Sequence, residues 1–273
     1  MDTDLTASLA PAAKRDVALC RSLFYEALSL GFRPPAGGAP WRFGSAEAAA
    51  ALAAAAALLD ADARAVLETK VRALVSHDDL SDPAAQEAIL LGLFGHTGRG
   101  TVPPYETEYG DDTLFERPQE LSDLAGFLTA FGLRLGPATR ERIDHISCEL
   151  EFLAFLARKE AHAVETGDAE MAEETRRATR LFLRDHLGRF LPSFAHRVMR
   201  ADPDGFYGRL AGLCLEFVRG ECARFAVPIG PGLLRLRLPI EDQAPMACGS
   251  AGGGVDGCAP GPGGPGPCGP EEP

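Results

Sequence analysis

Apolar residues recur at intervals of three and four along most of the chain, the spacing that one buried face of an α-helix requires. Between residues 14 and 30 the positions Val17, Cys20, Phe24, Ala27 and Leu28 follow it and predict a first amphipathic helix. Pro34, Pro35, Gly37, Gly38 and Pro40 then break the chain. The alanine-rich run 48–59 resumes helix, and a turn near Asp60 separates it from a segment reaching Val75. Asp82-Pro83 reads as an N-cap followed by proline at the first helical position, opening a helix that ends near Phe94. Farther on, Ile146, Leu150, Leu153 and Ala157 keep the helical interval, as do Phe206, Leu210, Leu213, Cys214, Phe217 and Val218, both over stretches too long for strands. Residues 175–186 and 190–200 supply two more helices with a break near Gly188, and Pro203 closes the second before the helix that follows Gly205. The fold class predicted is all-α, a single-domain helical bundle.

One segment follows a different period. Leu234, Leu236, Leu238 and Ile240 alternate with Arg235, Arg237 and Pro239, as in a half-buried extended chain. No second strand is evident to pair with it. The pattern predicts an extended C-terminal arm laid over the helices, which finishes the core, exchanges between subunits or accepts a partner segment by strand addition. Beyond it, residues 244–273 hold a third of the chain's 30 glycines and a third of its 21 prolines and no pattern that builds a core, so a disordered tail is predicted. The organisation expected is a flexible N-terminus over residues 1–14, a helical domain over 15–240 and a Gly/Pro/Cys tail over 241–273.

Composition narrows the functions open to such a bundle. The chain of 273 residues is 46% hydrophobic, enough for one substantial core. Its 27 Lys+Arg against 39 Asp+Glu give a formal charge of -12, which disfavours nucleic acid and anionic membrane surfaces and suits a cationic partner. Met1-Asp2-Thr3-Asp4 is acidic where a secretory signal carries positive charge, and the apolar run 48–59 is shorter than the roughly 20 residues that span a bilayer. A cytoplasmic protein without membrane insertion is expected. Cys20, Cys148, Cys214 and Cys222 lie among apolar helical neighbours, which suits reduced thiols.

Candidate chemistry concentrates in two places. The first is the loop Gly95-His96-Thr97-Gly98-Arg99-Gly100-Thr101-Val102-Pro103-Pro104-Tyr105-Glu106-Thr107-Glu108-Tyr109. Pro103 and Pro104 stiffen it, so that Tyr105 and Tyr109 are presented by a preformed chain; the plainer reading is a rigid connection whose tyrosines pack on the body. Its glycines do not cradle phosphate, since no Gly-Lys-Ser/Thr follows and no strand precedes. The second is Asp144-His145 in the first turns of a helix reaching Glu165, an acid and an imidazole able to meet a polar or cationic ligand, or else a capping Asp beside a hydrogen-bonded His. His145, Cys148 and Glu149 superficially resemble metal ligands, but no matching second pair occurs. Arg176, Arg177, Arg180 and Arg184, interrupted by Glu173, Glu174 and Asp185, read as a solvated, salt-bridged helix face. Cys248, Cys258 and Cys268 stand ten apart in the tail, without the tight pairing of zinc or cluster motifs; a metal or iron–sulfur carrier acting through them is the alternative function. Nucleophile elbows, His-Glu-x-x-His, dinucleotide fingerprints and Cys-x-x-Cys pairs are missing, which argues for a protein that is not an enzyme and holds no cofactor.

In order along the chain stand Leu93-Phe94, Pro103-Pro104-Tyr105-Glu106-Thr107-x-Tyr109, Asp144-His145 with Glu149-Leu150-Glu151-Phe152-Leu153-Ala154, Phe182-Leu183-Arg184-Asp185-His186-Leu187, Leu191-Pro192-Ser193-Phe194 and Phe206-Tyr207-x-x-Leu210-Ala211. This series resembles the TorD/DmsD/NarJ family, cytoplasmic chaperones of molybdenum oxidoreductases, over roughly residues 15–240. The chain departs from the family at Leu90, often aromatic there, and at Glu141-Arg142-Ile143, where proline is common. The resemblance implies an all-helical domain, monomeric or a domain-swapped dimer. It also implies binding to the N-terminal, twin-arginine-type signal region of a molybdopterin-containing catalytic subunit, which is held for cofactor insertion before export. The peptide-binding residues it implies are Tyr105, Glu106, Tyr109, Asp144 and His145, with Pro103 and Pro104 shaping the loop between them. Carboxylates meeting guanidinium forks and tyrosine faces receiving an apolar stretch would supply the contacts.

Overall fold

The computed structural model describes residues 10–33, 46–59, 61–75, 83–95, 100–111, 116–136 and 141–237. Asp60, Asp82, Leu238, Ile240 and the tail with Cys248, Cys258 and Cys268 lie outside the described residues. Nine helices follow one another among the described residues: α1 (Pro11–Phe32), α2 (Ala46–Leu59), α3 (Ala61–Val75), α4 (Pro83–Phe94), α5 (Glu116–Ala130), α6 (Ile146–Thr166), α7 (Ala169–Asp185), α8 (Leu187–Ala201) and α9 (Phe206–Arg224). The periodicity foresaw all but α5, whose apolar positions are sparse and whose Pro118 resembles a breaker; in the first turn of a helix, however, a missing N–H costs nothing. The break expected near Gly188 falls instead at His186, and Gly188 lies inside α8.

Each helix turns a small-period apolar stripe inward. α1 buries Val17, Phe24, Tyr25, Leu28 and Phe32, and lies antiparallel along α6, where Ser22 donates to the Ala154 carbonyl at 3.0 Å and Ser29 to the Ser147 carbonyl at 2.8 Å. Small residues at these crossings let the two backbones come close. α6 ends at Gly167, left-handed with φ 73°, and Asp168 caps α7 by accepting from the Met171 N–H at 2.9 Å, which folds the two helices into a hairpin. α8 packs on α9, and α2 and α3 complete the body against α1 and α9. Phe32, Phe94, Phe194 and Tyr207 meet at its centre, while Phe127, Phe152 and Phe182 form a second aromatic cluster under α5.

A buried ionic network crosses the same core. Arg21 of α1 donates to Glu160 of α6 at 2.5 Å and to Glu221 of α9 at 2.6 Å; Tyr25 also donates to Glu221, and Arg176 and Arg224 cover the outer carboxylate oxygens. Burial alone would raise the Glu160 pKa, but Arg21 and Arg176 outweigh it and hold the carboxyl below its ordinary value.

Pro192, inside α8, decides where the C-terminal arm goes. Proline has no N–H, so the carbonyl four residues earlier, that of Gly188, is left without its helical donor. Gly230 supplies one at 2.9 Å; the Ser193 hydroxyl then accepts from the Leu234 N–H, and Arg197 holds the Leu234 carbonyl. The arm is thereby guided along α8 toward the loop after α4. The expected alternation holds at its start, where Leu234 packs on the core and Arg235 is exposed, and reverses at the next pair, where Leu236 is 37% exposed and Arg237 is buried. None of the described helices is long and apolar enough to cross a membrane.

Candidate functional site

The loop after α4 is folded by its glycines and closed by its tyrosine. Gly95 adopts φ 74°, and the chain returns so that the Val102 N–H reaches the Leu93 carbonyl at 2.8 Å. A methyl group at Gly100 would overlap the Leu93 and Phe94 backbone, so glycine alone fits there. Pro103 and Pro104 are buried. Tyr109 is fully buried as well, its hydroxyl donating to the Pro103 carbonyl at 2.8 Å and its ring tilted on Phe190; burial pushes its pKa up. Of the two tyrosines expected to be presented, only Tyr105 reaches the surface.

Three distant segments meet at this loop. Tyr105 forms an antiparallel bridge with His145, in which the Glu106 N–H reaches the Asp144 carbonyl and the Ile146 N–H reaches the Pro104 carbonyl, both at 2.9 Å. Tyr109 bridges Leu236 of the arm through Gly110 N–H to the Arg235 carbonyl and Arg237 N–H to the Glu108 carbonyl. The loop is thus the pairing partner that the arm lacked on paper. Arg237 ties them further: it donates to the Thr107 carbonyl at 3.0 Å, the Asp111 carbonyl at 2.8 Å, Glu120 at 2.6 Å and Glu116 at 3.0 Å.

The carboxylates singled out in the sequence are internal. Glu106 is fully buried and accepts from Arg189 at 2.8 Å, with the His186 ring nitrogen at 3.1 Å; Arg189 is shared with Glu120. Asp144 is fully buried too, receives the Thr107 hydroxyl at 2.7 Å and is forked by Arg142 at 3.0 and 2.8 Å. Both therefore already hold guanidinium groups of this chain, in the places where the resemblance implied carboxylates meeting an incoming arginine. His145, not Asp144, is the N-cap of α6: its Nδ1 accepts from the Ser147 N–H at 3.2 Å, and it does not pair with Glu149. Burial, and then the positive charges of Arg33 and Arg142, lower the His145 pKa to about 3, so the ring is neutral at physiological pH. Among the described residues no group of three metal-capable side chains converges, which leaves His145, Cys148 and Glu149 without the geometry of a metal site.

What faces outward is a different set. The Tyr105 ring lies against His145 at 5.3 Å and under the guanidinium carbon of Arg142 at 4.5 Å, and its hydroxyl donates to Glu141 at 3.2 Å. Burial and the Glu141 charge raise the Tyr105 pKa, which keeps the phenol a donor. Glu141 and Glu108 remain partly exposed beside it, and Arg142 is 43% exposed. An aromatic face flanked by carboxylates suits a basic group followed by an apolar side chain. Sequence reasoning missed the supports: Arg189 and Glu120 gave no signal, whereas Thr107 and His186 stood within family-like segments and Arg237 within the alternating arm.

Residues 46–196, more than half of the chain, match the nitrate reductase delta subunit family. The chain is 37% identical over 134 residues to a selenate reductase assembly chaperone protein from Thauera selenatis, a match covering 49% of this chain and 67% of that one. It is 35% identical over 157 residues to a chlorate reductase assembly chaperone protein from Ideonella dechloratans, covering 54% and 77%. It is 30% identical over 131 residues to the chaperone protein TorD from Vibrio cholerae, covering 47% of this chain and 57% of that protein. With the helical fold and the loop pinned to the α6 N-terminus, these matches show that the chain belongs to the nitrate reductase delta subunit family, the TorD/NarJ group of redox enzyme maturation chaperones.

Proposed function

We propose that this chain is an assembly chaperone for the catalytic subunit of a molybdenum oxidoreductase. It binds the N-terminal, twin-arginine-type signal region of that subunit in the cytoplasm and holds it until cofactor insertion is complete. The observation that carries this reading is the outward-facing group of Tyr105, Glu141 and Glu108, mounted on two segments that are locked together by the Tyr105–His145 bridge. Arg142, 43% exposed, now covers the Tyr105 ring and pairs with Glu108; an incoming guanidinium would take its place there, with Glu141 as a further acceptor. Glu106, Asp144, His145, Pro103, Pro104 and Tyr109 shape the surface from beneath. The relatives named as selenate and chlorate reductase assembly chaperones support the class of client, and the net charge of -12 favours encounter with a basic leader.

The test has two parts. Capture on the full chain from the cytosol of its own source, under reducing anaerobic conditions, is expected to recover a molybdenum reductase catalytic subunit. A synthetic peptide carrying two adjacent arginines and an apolar stretch is expected to bind the wild-type chain and to bind Tyr105→Ala or Glu141→Gln at least tenfold more weakly. Recovery of no such subunit sinks the function; unchanged peptide affinity in both variants sinks the site.

A further inference from the structure

The guanidinium groups that close on the tyrosine loop are not equivalent. Arg237 is buried and ties the arm to α5, and Arg189 reaches from α8 to carboxylates on the loop and on α5. Arg142 stands in the turn before α6 and is the most open of them. Its contacts are those an incoming arginine would seek. Nε and Nη2 fork Asp144, Nη2 also donates to the Thr107 hydroxyl at 2.6 Å, Nη1 reaches Glu108 at 3.5 Å, and the flat of the group lies over the Tyr105 ring.

The loop has other anchors at this point. The Tyr105–His145 bridge joins it to the start of α6, and Asp144 accepts from the Thr107 N–H at 3.3 Å and from the Thr107 hydroxyl at 2.7 Å, independently of any guanidinium. What Arg142 adds is a positive charge over a carboxylate that has no exposure of its own. That service is chemical rather than positional, and any guanidinium that presents the same fork performs it.

We propose that Arg142 is an internal competitor for the guanidinium seat formed by Asp144, Thr107, Glu108 and Tyr105, and that this competition makes the site select arginine over lysine. The inference rests on the peptide-binding reading of the same surface. An arginine tethered two residues from Asp144 acts at an effective concentration on the order of millimolar, so a ligand has to match its contacts to displace it. A second guanidinium does so, because it brings the same planar fork. An ammonium presents a single nitrogen and leaves one Asp144 oxygen short. Apparent affinity scales with the fraction of time the seat is open, so the occupant sets a threshold for every incoming cation. Without Arg142 the seat is a general cation site.

Anisotropy titration of the full chain compares two labelled peptides that share one apolar stretch and differ only in carrying adjacent arginines or adjacent lysines. Wild type is expected to bind the arginine peptide at least tenfold more tightly than the lysine peptide. Arg142→Ala is expected to gain about tenfold for the arginine peptide and more for the lysine peptide, so that the preference falls below about threefold. Arg142→Lys keeps a cation over Asp144, which guards against loss of the fold, and is expected to gain for the arginine peptide as well. Unchanged affinities and an unchanged preference in both variants overturn the proposal. If neither peptide binds any of the three chains, the peptide-binding reading fails instead, and acetyl-arginine amide decides the inference by itself. At millimolar concentration it is expected to raise the Tm of Arg142→Ala by about 2 °C or more and to leave wild type where it was. An equal shift in wild type, or none in Arg142→Ala, overturns the proposal.

Discussion

Glu149 sits in the interior with no hydrogen-bond partner among the described residues for either carboxylate oxygen. Burial, and then the nearby charges of Glu106 and Asp144, raise its pKa well above the ordinary value of 4.5, so the folded protein keeps it protonated where the unfolded chain would ionise it. Across that interval the native state binds the extra proton, and stability falls as pH rises from about 4.5 through the raised pKa. His145 acts in the opposite sense lower on the scale: its pKa of about 3 lies below the unfolded 6.5, so stability falls as pH drops through that range. Glu149→Gln is therefore expected to flatten the alkaline side of the stability profile in chemical denaturation and leave the acid side alone. An unchanged alkaline slope would assign the proton to another group. The sequence showed Glu149 only as part of a helical segment and of a superficial metal-ligand pattern, because the charge that isolates it comes from residues 43 and 5 positions away that the fold brings together.

The arm and the loop behave as one element. Arg237 joins the loop carbonyls of Thr107 and Asp111 to the α5 carboxylates Glu116 and Glu120. Removing it leaves buried acceptors without donors, and Arg237→Ala is expected to cost about 3 kcal/mol, roughly a 6–12 °C drop in Tm for a domain of this size. Arg237→Lys should recover only part, since an ammonium has three donors and no planar fork. Hydrogen exchange at residues 105–110 is the check: faster exchange there than in α9 confirms that the arm holds the loop, and uniform acceleration assigns Arg237 to the core instead. Alternation did reveal an extended arm at residues 234–237 and the inward Leu234, yet it assigned Leu236 to the buried side, where Arg237 is found instead. The apolar period records which residues share a face; which face is buried depends on the neighbour, and here the neighbour is a loop lined with carbonyls and glutamates that only an arginine satisfies. The missed helix α5 belongs to the same element, because it is held by Glu116 and Glu120 as much as by an apolar stripe.

At the scale of the whole molecule, four helices are tied at one point by Arg21, Glu160, Arg176 and Glu221. Arg21→Ala strands two buried carboxylates beside a vacated guanidinium volume and is expected to lower unfolding free energy by about 3–5 kcal/mol, measured in urea. A loss below about 1 kcal/mol would mean that Arg176 and Arg224 suffice to neutralise them. Much of this architecture was readable in the chain, since the three- and four-residue spacing of Leu, Phe and Ala dictates helices whatever they pack against. So was the pairing of Pro103-Pro104-Tyr105 with Asp144-His145 as one candidate site, through the order of motifs that the family shares. Local patterning carries that information because helix period and proline rigidity act within a few residues. What it does not carry is desolvation and long-range charge. Glu106 and Asp144 read as free carboxylates until Arg189, His186 and Arg142 close on them, and Arg177 and Arg180 read as neutralised by neighbours in sequence that do not pair with them in space. Burial of a charge and the choice of its partner are settled by residues far apart in the chain, and they exist only once the helices have packed.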